Sequence, residues 1–317
     1  MTKLDVHQHI WTTPLLEALE RRRELPFVRR QGELTILFLA GERPYVVETA
    51  TETQESRAAL LESDGVERAL VCLSSPLGIE SLPREQAASL IDAYHEGALA
   101  LGEPFGVWGA IPLDRPSPAD VDRAIDRGCV GIALPAGALA GVNAVAKLYL
   151  VLARLEMVGA PLLVHPGPGP DGHSGGTARG SLNDPLWWPA LTRYVAQMQA
   201  AWLAFLTAGR PEHPRLRVIF SMLAGLAPLQ LERLAVRGGP PVAHADTRIF
   251  YDTSSYGPRA IGALAEVVGR AQLVYGSDRP VSEPAGLDDG TGVDWETVDE
   301  ATGRALRVEV DELAGVA

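Results

Sequence analysis

Apolar and polar positions follow two periods along this chain. Short continuous apolar runs at 66–74, 105–111, 130–134, 161–164, 216–221, 248–253 and 272–275 predict strands covered on both faces. Between them, 53–64, 84–101, 119–127, 142–158, 186–208, 228–236 and 259–268 carry apolar residues at helical spacing, and 296–313 reads as a closing helix. Local punctuation agrees: Pro83 introduces one helix, and Gly128 and Gly159 end two others. The opening stretch Leu4-Asp5-Val6-His7-Gln8-His9-Ile10-Trp11 alternates with a period of two. It predicts a strand with Leu4, Val6, Gln8 and Ile10 on one side and Asp5, His7 and His9 on the other. A helix over 14–23 follows, and then three extended pieces at 27–30, 34–40 and 45–47, a small hairpin turned at Gly41-Glu42.

Eight strands, each followed by a helical segment, predict an α/β protein: one closed (β/α)8 barrel of the TIM type spanning 1–317. The hairpin, at about residues 24–50, is expected as an insertion after strand one that folds over the barrel mouth. An open doubly wound sheet is the alternative, but no strand is followed by a glycine-rich phosphate loop. Gly167-Pro168-Gly169-Pro170 does not serve as one, because each proline lacks a backbone donor.

Composition narrows the partners. A formal net charge of −12 argues against nucleic acid or an anionic membrane and leaves a small-molecule substrate, which local arginines could still make an anion. Cys72 and Cys129 lie in apolar strand-like runs and read as buried free thiols, as expected in a reducing cytoplasm. The first ten residues lack the apolar core of a signal peptide, and the apolar segment 185–209 contains Arg193, Gln197 and Gln199, so it reads as a buried helix and not a membrane span. That same segment holds more Trp, Leu and Ala than one barrel wall needs, and a homodimer is expected from it.

The barrel sorts the seven histidines. Chemistry in such a fold sits at the C-terminal ends of strands and in the loops that follow. His213 and His244 precede strands, and His95 lies within a helix. His7, His9, His165 and His173 remain on the reactive side. His7 and His9 aim two imidazoles from one strand, His165 ends the fifth strand, and Asp278 ends the eighth, which pairs with the first in a closed barrel. Three imidazoles and one carboxylate suit one Zn²⁺ or a similar divalent transition ion, with a position left for water or substrate.

His-x-His on strand one, His at the end of strand five and Gly276-Ser277-Asp278-Arg279-Pro280 on strand eight resemble the amidohydrolase superfamily. The nearest branch in pattern includes aminocarboxymuconate-semialdehyde decarboxylase, resorcylate-type decarboxylases and several hydrolases. The resemblance covers nearly the whole chain. It implies a mononuclear site, because strand four (131–134) has no lysine to bridge two metals. It also implies a proton-carrying histidine at the end of strand six, followed by a glycine-rich turn. Here the stretch is Val218-Ile219-Phe220-Ser221-Met222-Leu223-Ala224-Gly225, with Met222 in the histidine's place. Methionine cannot move a proton.

The remaining candidates are Arg29 and Arg30 in the hairpin, which could pair with a substrate carboxylate, and His173 in the loop Asp171-Gly172-His173-Ser174, which could carry a proton. Asp252 sits within an apolar strand and needs a partner, either structural or one of the metal-binding histidines. Trp187 and Trp188 open a helix and could wall the pocket. Because of Met222, the sequence alone favours a metal-dependent hydrolase with Asp278 as general base for water. A non-oxidative decarboxylase of the aminocarboxymuconate-semialdehyde or resorcylate type is the alternative, and a barrel that binds without turnover is the third.

Overall fold

The computed structural model describes residues 3–170, 184–239, 246–284 and 293–306. Eight strands form one parallel sheet: β1 (Leu4–His9), β5 (Arg68–Cys72), β6 (Phe105–Gly109), β7 (Gly131–Pro135), β8 (Leu162–His165), β9 (Val218–Phe220), β10 (Ile249–Asp252) and β11 (Leu273–Val274), each paired with the next. The seam closes between the last strand and the first. Val6 N–H donates to the Tyr275 carbonyl at 2.9 Å, Asp278 N–H to that of His7 at 2.9 Å, and His9 N–H to that of Arg279 at 2.7 Å. The predicted (β/α)8 barrel is therefore the fold.

The barrel is filled from every strand. Leu4, Val6, Leu70, Trp108, Ala133, Leu163, Ile219, Phe250 and Val274 form one buried cluster with Ala301, Ala305 and Leu306 of the helix Trp295–Leu306. That helix packs against the starts of the strands, where Arg304 bonds the carbonyl of Ala271 and Lys3 lies over the Trp295 ring. The bottom of the barrel is thus plugged, and the strands' C-terminal ends are left for chemistry.

The opening strand does not keep its predicted alternation. Its register runs Leu4 to Arg68 and Asp5 to Ala69, then Gln8 to Val71 and His9 to Cys72. Three steps on β1 match two on β5, so β1 carries one extra residue, a β-bulge. The bulge changes which residues share a side. Leu4 and Val6 join the barrel interior, as His7 and His9 do, while Asp5 and Gln8 face outward and bond each other at 2.8 Å. Gln8 in turn accepts from Arg57 of the helix Gln54–Ser63 at 2.7 Å.

The insertion after β1 is a three-stranded antiparallel sheet, β2 (Phe27–Gln31), β3 (Leu34–Phe38) and β4 (Tyr45–Val47), one strand more than a hairpin. Glu42, in the turn between β3 and β4, accepts hydrogen bonds from Arg193 (2.6 Å) and from the Tyr194 hydroxyl. Those two residues begin the helix Arg193–Ala204, which follows β8, the strand opposite β1 in the barrel.

Two predicted helices are broken. Residues 142–158 divide at Leu148 into Val142–Lys147 and Tyr149–Val158, which lets Val145, Leu148, Val151 and Leu152 all turn inward. Residues 186–208 divide at Thr192, whose φ of −119° and ψ of −75° are not helical, and 205–209 widen into a looser turn. After β9 the chain makes an unusual turn: Met222, Leu223, Ala224, Gly225 and Leu226 all have φ between 49° and 61°. Four of the five carry a Cβ, and left-handed backbone costs such residues on the order of 1 kcal/mol each.

Candidate metal centre at the barrel mouth

β1 delivers His7 and His9, the end of β8 delivers His165, and the turn after β11 delivers Asp278, which itself has φ of 60°. All three imidazoles are buried. The Nε2 atoms of His7 and His9 are 3.3 Å apart, and those of His9 and His165 are 3.2 Å apart. The three rings are mutually perpendicular, with centroids 4.8–5.1 Å apart and interplanar angles of 87–88°. Asp278 Oδ1 lies 3.1 Å from His9 Nε2 and 3.6 Å from His7 Nε2.

The other nitrogen of each ring settles which atom faces inward. His9 Nδ1 meets the Cys72 carbonyl at 3.1 Å and His165 Nδ1 the Pro166 carbonyl at 2.8 Å. A carbonyl only accepts, so both Nδ1 atoms carry the proton and a neutral ring presents a bare Nε2 lone pair. His7 Nδ1 faces Asp252 Oδ2 at 2.9 Å, with the same result. Three lone pairs and a carboxylate oxygen turned toward one another repel unless a cation lies among them. Donors that share a metal at about 2.0–2.1 Å stand roughly 3.0–3.4 Å apart when adjacent, which matches the separations here. The residues present fit a divalent ion.

Asp252 orients this centre from behind. It is fully buried at the end of β10, and its Oδ1 accepts from Met222 N–H (3.1 Å), Ser254 N–H (3.0 Å) and the Ser254 hydroxyl. Its charge holds His7 well above the usual imidazole range, against the opposing effect of burial. His165 goes the other way: burial, and then the neighbouring His7 and His9, push it well below that range. Burial opposes the charge on His9 too, but Cys72 and Asp278 raise that ring as well, to about 9, so two of the rings favour the charged form and their charges keep the third neutral.

The other candidates divide. Met222 is buried, and its backbone N–H is tied to Asp252, the carboxylate behind His7, and to the Ser254 hydroxyl at 3.2 Å. Arg29 donates to the carbonyls of Glu20, Arg22 and Val28 and stacks over Phe27. Arg30 pairs with the Glu20 carboxylate at 3.1 Å. Both arginines are thus engaged at the end of the helix Thr13–Glu20. Trp187 and Trp188 are exposed and tilt against each other at 5.6 Å. His173 lies outside the described residues. Of the histidines assigned away from the mouth, His95 accepts from Ala110 N–H at 3.0 Å and His213 packs on Tyr149.

Two residues escaped the sequence reading. Cys72, taken as an inert core thiol, ends β5 beside His9, and its sulfur lies with one ring nitrogen from each of His7, His9 and His165 inside a 4.8 Å span. Its position at the C-terminal end of an apolar strand, the same position as His165, was the available signal. Glu80 is fully buried after β5, where Ser75 Oγ donates to it at 2.6 Å and its other oxygen has no hydrogen-bond partner among the described residues.

The sequence itself matches no family model and no curated protein. The fold has solved counterparts. IDCase from Metarhizium anisopliae, in apo form, superimposes with a TM-score of 0.71 at 16% identity, over 96% of this chain and 90% of that one. The 5-carboxyvanillate decarboxylase LigW from Sphingomonas paucimobilis gives 0.70 at 16% identity, over 97% and 99%. The 5-carboxyvanillate decarboxylase from Novosphingobium aromaticivorans, complexed with manganese and 4-hydroxy-3-methoxy-5-nitrobenzoic acid, gives 0.70 at 16%, over 97% and 96%. Others are described as amidohydrolases. Over 96–97% of its length this chain shares the fold of these decarboxylases and amidohydrolases.

Proposed function

We propose that this protein is a metal-dependent, non-oxidative decarboxylase of a small carboxylic acid, with a hydroxylated aromatic acid as the first substrate class to test. One observation carries the reading: three perpendicular imidazoles and the Asp278 carboxylate converge at the mouth of a barrel shared with decarboxylases. This reverses the order of reactions drawn from the sequence alone. There Met222 put hydrolysis first, whereas the structural likeness to carboxylic-acid decarboxylases favours loss of carbon dioxide.

His7, His9, His165 and Asp278 would hold the ion, with zinc the expected metal at one per chain. When bound, such an ion supplies Lewis acidity toward a substrate oxygen. The protein's own groups do the rest. Asp252 fixes the His7 ring, and the carbonyls of Cys72 and Pro166 fix the other two, so the donor atoms need no reorganisation when the substrate arrives. Asp278 is the most exposed of the four, and Ser255 Oγ lies 3.3 Å from its second oxygen. That oxygen is the group on hand to hold or pass a proton to the carbon from which carbon dioxide leaves. His173 is the second proton carrier to test.

Met222 favours hydrolysis as a second reading, because it leaves the site one proton carrier short and water attack needs only Asp278. The test is carbon dioxide release from 2,6-dihydroxybenzoate, 5-carboxyvanillate and muconate-type acids by metal-loaded protein, with the His7→Ala/His9→Ala double variant as control. Release that is lost in the double variant supports decarboxylation. Absence of release, with turnover of lactones or amides that the double variant lacks, establishes hydrolysis instead.

A further inference from the structure

The strand beside β1 supplies a donor that the four-ligand reading does not use. Cys72 is the register partner of His9 across the β1–β5 pair, so both side chains leave the sheet on the same interior side at the same level. Its sulfur is 3.5 Å from His9 Nδ1, the nitrogen behind the donor Nε2, and the thiol is buried, so binding turns the sulfur toward the Nε2 side of the ring. The sulfur and one ring nitrogen of each of His7, His9 and His165 all lie within 4.8 Å of one another. Donors on opposite sides of one zinc ion, at about 2.3 Å for sulfur and 2.1 Å for nitrogen, stand roughly 4.4 Å apart. The span exceeds that width by a few tenths of an ångström, so the four atoms close on one ion with a small turn of the Cys72 thiol. By contrast Cys129, also buried, belongs to no such group among the described residues.

We propose that Cys72 binds the metal as a thiolate and selects which metal the site takes. The inference rests on the metal-centre reading above and adds a ligand to it. On binding, the S–H bond breaks, a metal–sulfur bond forms and the proton leaves to solvent; nothing is oxidised or reduced. A thiolate among imidazoles favours zinc, cobalt and copper over manganese and magnesium, which prefer oxygen donors. Asp278, at the mouth, remains the exchangeable oxygen side of the site, and Cys72 is its anchored sulfur side.

Cobalt substitution gives the decisive readout without any substrate. The unmodified protein loaded with Co²⁺ should show an intense sulfur-to-cobalt charge-transfer band in the near ultraviolet. Cys72→Ser should lose that band, keep the weaker visible ligand-field bands, and show a zinc-over-manganese preference reduced by about tenfold or more in competition with a chromophoric chelator. Cys129→Ser should retain both band and preference. Cobalt bound to the unmodified protein without the charge-transfer band overturns the proposal, whether or not the serine variant folds. An unchanged zinc-to-manganese ratio in a folded Cys72→Ser protein also overturns it. If the unmodified protein binds no cobalt, or binds it as well after His7→Ala/His9→Ala, the metal-centre reading fails and the thiolate proposal with it.

Discussion

Asp252 holds His7: one carboxylate oxygen sits 2.9 Å from His7 Nδ1, inside a fully buried pair that joins the last residue of β10 to the first strand. The contact spans the barrel seam, and it is the only side-chain bond that fixes the His7 ring from behind among the described residues. The other Asp252 oxygen accepts the Met222 N–H, so one side chain sets both a ligand's orientation and the start of the left-handed turn. Replacing it tests both roles.

Asp252→Asn is expected to weaken metal affinity by about 10- to 100-fold, as loss of a carboxylate behind a metal-binding histidine does. The fold should persist, because Asn retains an oxygen for the Ser254 and Met222 donors. Zinc competition against a chelating dye measures the first effect, and far-ultraviolet circular dichroism checks the second. Unchanged affinity would mean that the His7 ring is held by packing alone.

Met222→His restores a proton carrier at a backbone position that is already fixed. We expect decarboxylation of hydroxybenzoate-type acids to rise by about tenfold or more, in line with the contribution of a general acid. Met222→Ala should alter substrate preference more than rate. Asp278→Asn should abolish turnover in every background. The readout is carbon dioxide release with kcat and KM resolved separately. If decarboxylation is fast in the unmodified protein and Met222→His does not change it, another group carries the proton, with His173→Ala as the next variant.

Much of the centre is legible in the sequence, because strand ends are. His165 closes the run Pro161-Leu162-Leu163-Val164, and Asp278 follows Leu273-Val274, so an apolar strand model puts each at the mouth without any coordinate. What escapes is set by events that periodicity does not encode. The extra residue in β1 changes which neighbours share the histidines' side. The left-handed backbone at 222–226 lies between the predicted strand 216–221 and helix 228–236, where no periodic signal marks it. Arg29 and Arg30 are charged and lie in the insertion, but carbonyls engage Arg29 and the Glu20 carboxylate engages Arg30 at the end of a local helix. Cys72 reads as core because a thiol and an alanine give the same apolar signal in a strand.

Glu80 offers a stability test independent of the metal. Burial, opposed by its bond to Ser75, raises its pKa from 4.5 to about 7. Between those values the folded state holds a proton that the unfolded chain has released. The contribution is therefore fully present below about pH 4.5 and is lost as pH rises through about 7, a change on the order of 3 kcal/mol. Glu80→Gln should remove that part of the slope and make the protein relatively more stable than its parent at pH 8. Urea unfolding of both at pH 5 and pH 8 decides it, and parallel pH profiles would contradict the assignment.

Self-association should follow the segment between Leu186 and Leu191. Leu186, Trp187, Trp188 and Leu191 are all exposed there, four large apolar side chains within six residues. We expect a homodimer at micromolar concentration, and Leu186→Glu with Leu191→Glu should convert it to a monomer without loss of helical signal. Light scattering coupled to size exclusion measures both. A monomeric parent would assign these side chains to another partner.

The closure of the barrel also dictates when the protein can begin to work. His7 and His9 are synthesised before Asp252 and Asp278, which orient and complete their site and follow about 250 and 270 residues later. At roughly 5–20 residues per second, the two histidines wait on the order of a quarter of a minute to a minute for their carboxylates. The interior waits too, since β1 is fixed at its open edge by the seam at Tyr275, Asp278 and Arg279 and is covered below by the helix Trp295–Leu306. Metal capture therefore waits for residues 252–279, and a nascent chain stalled before residue 273 exposes a first strand that carries two strong donors and no partner on one side.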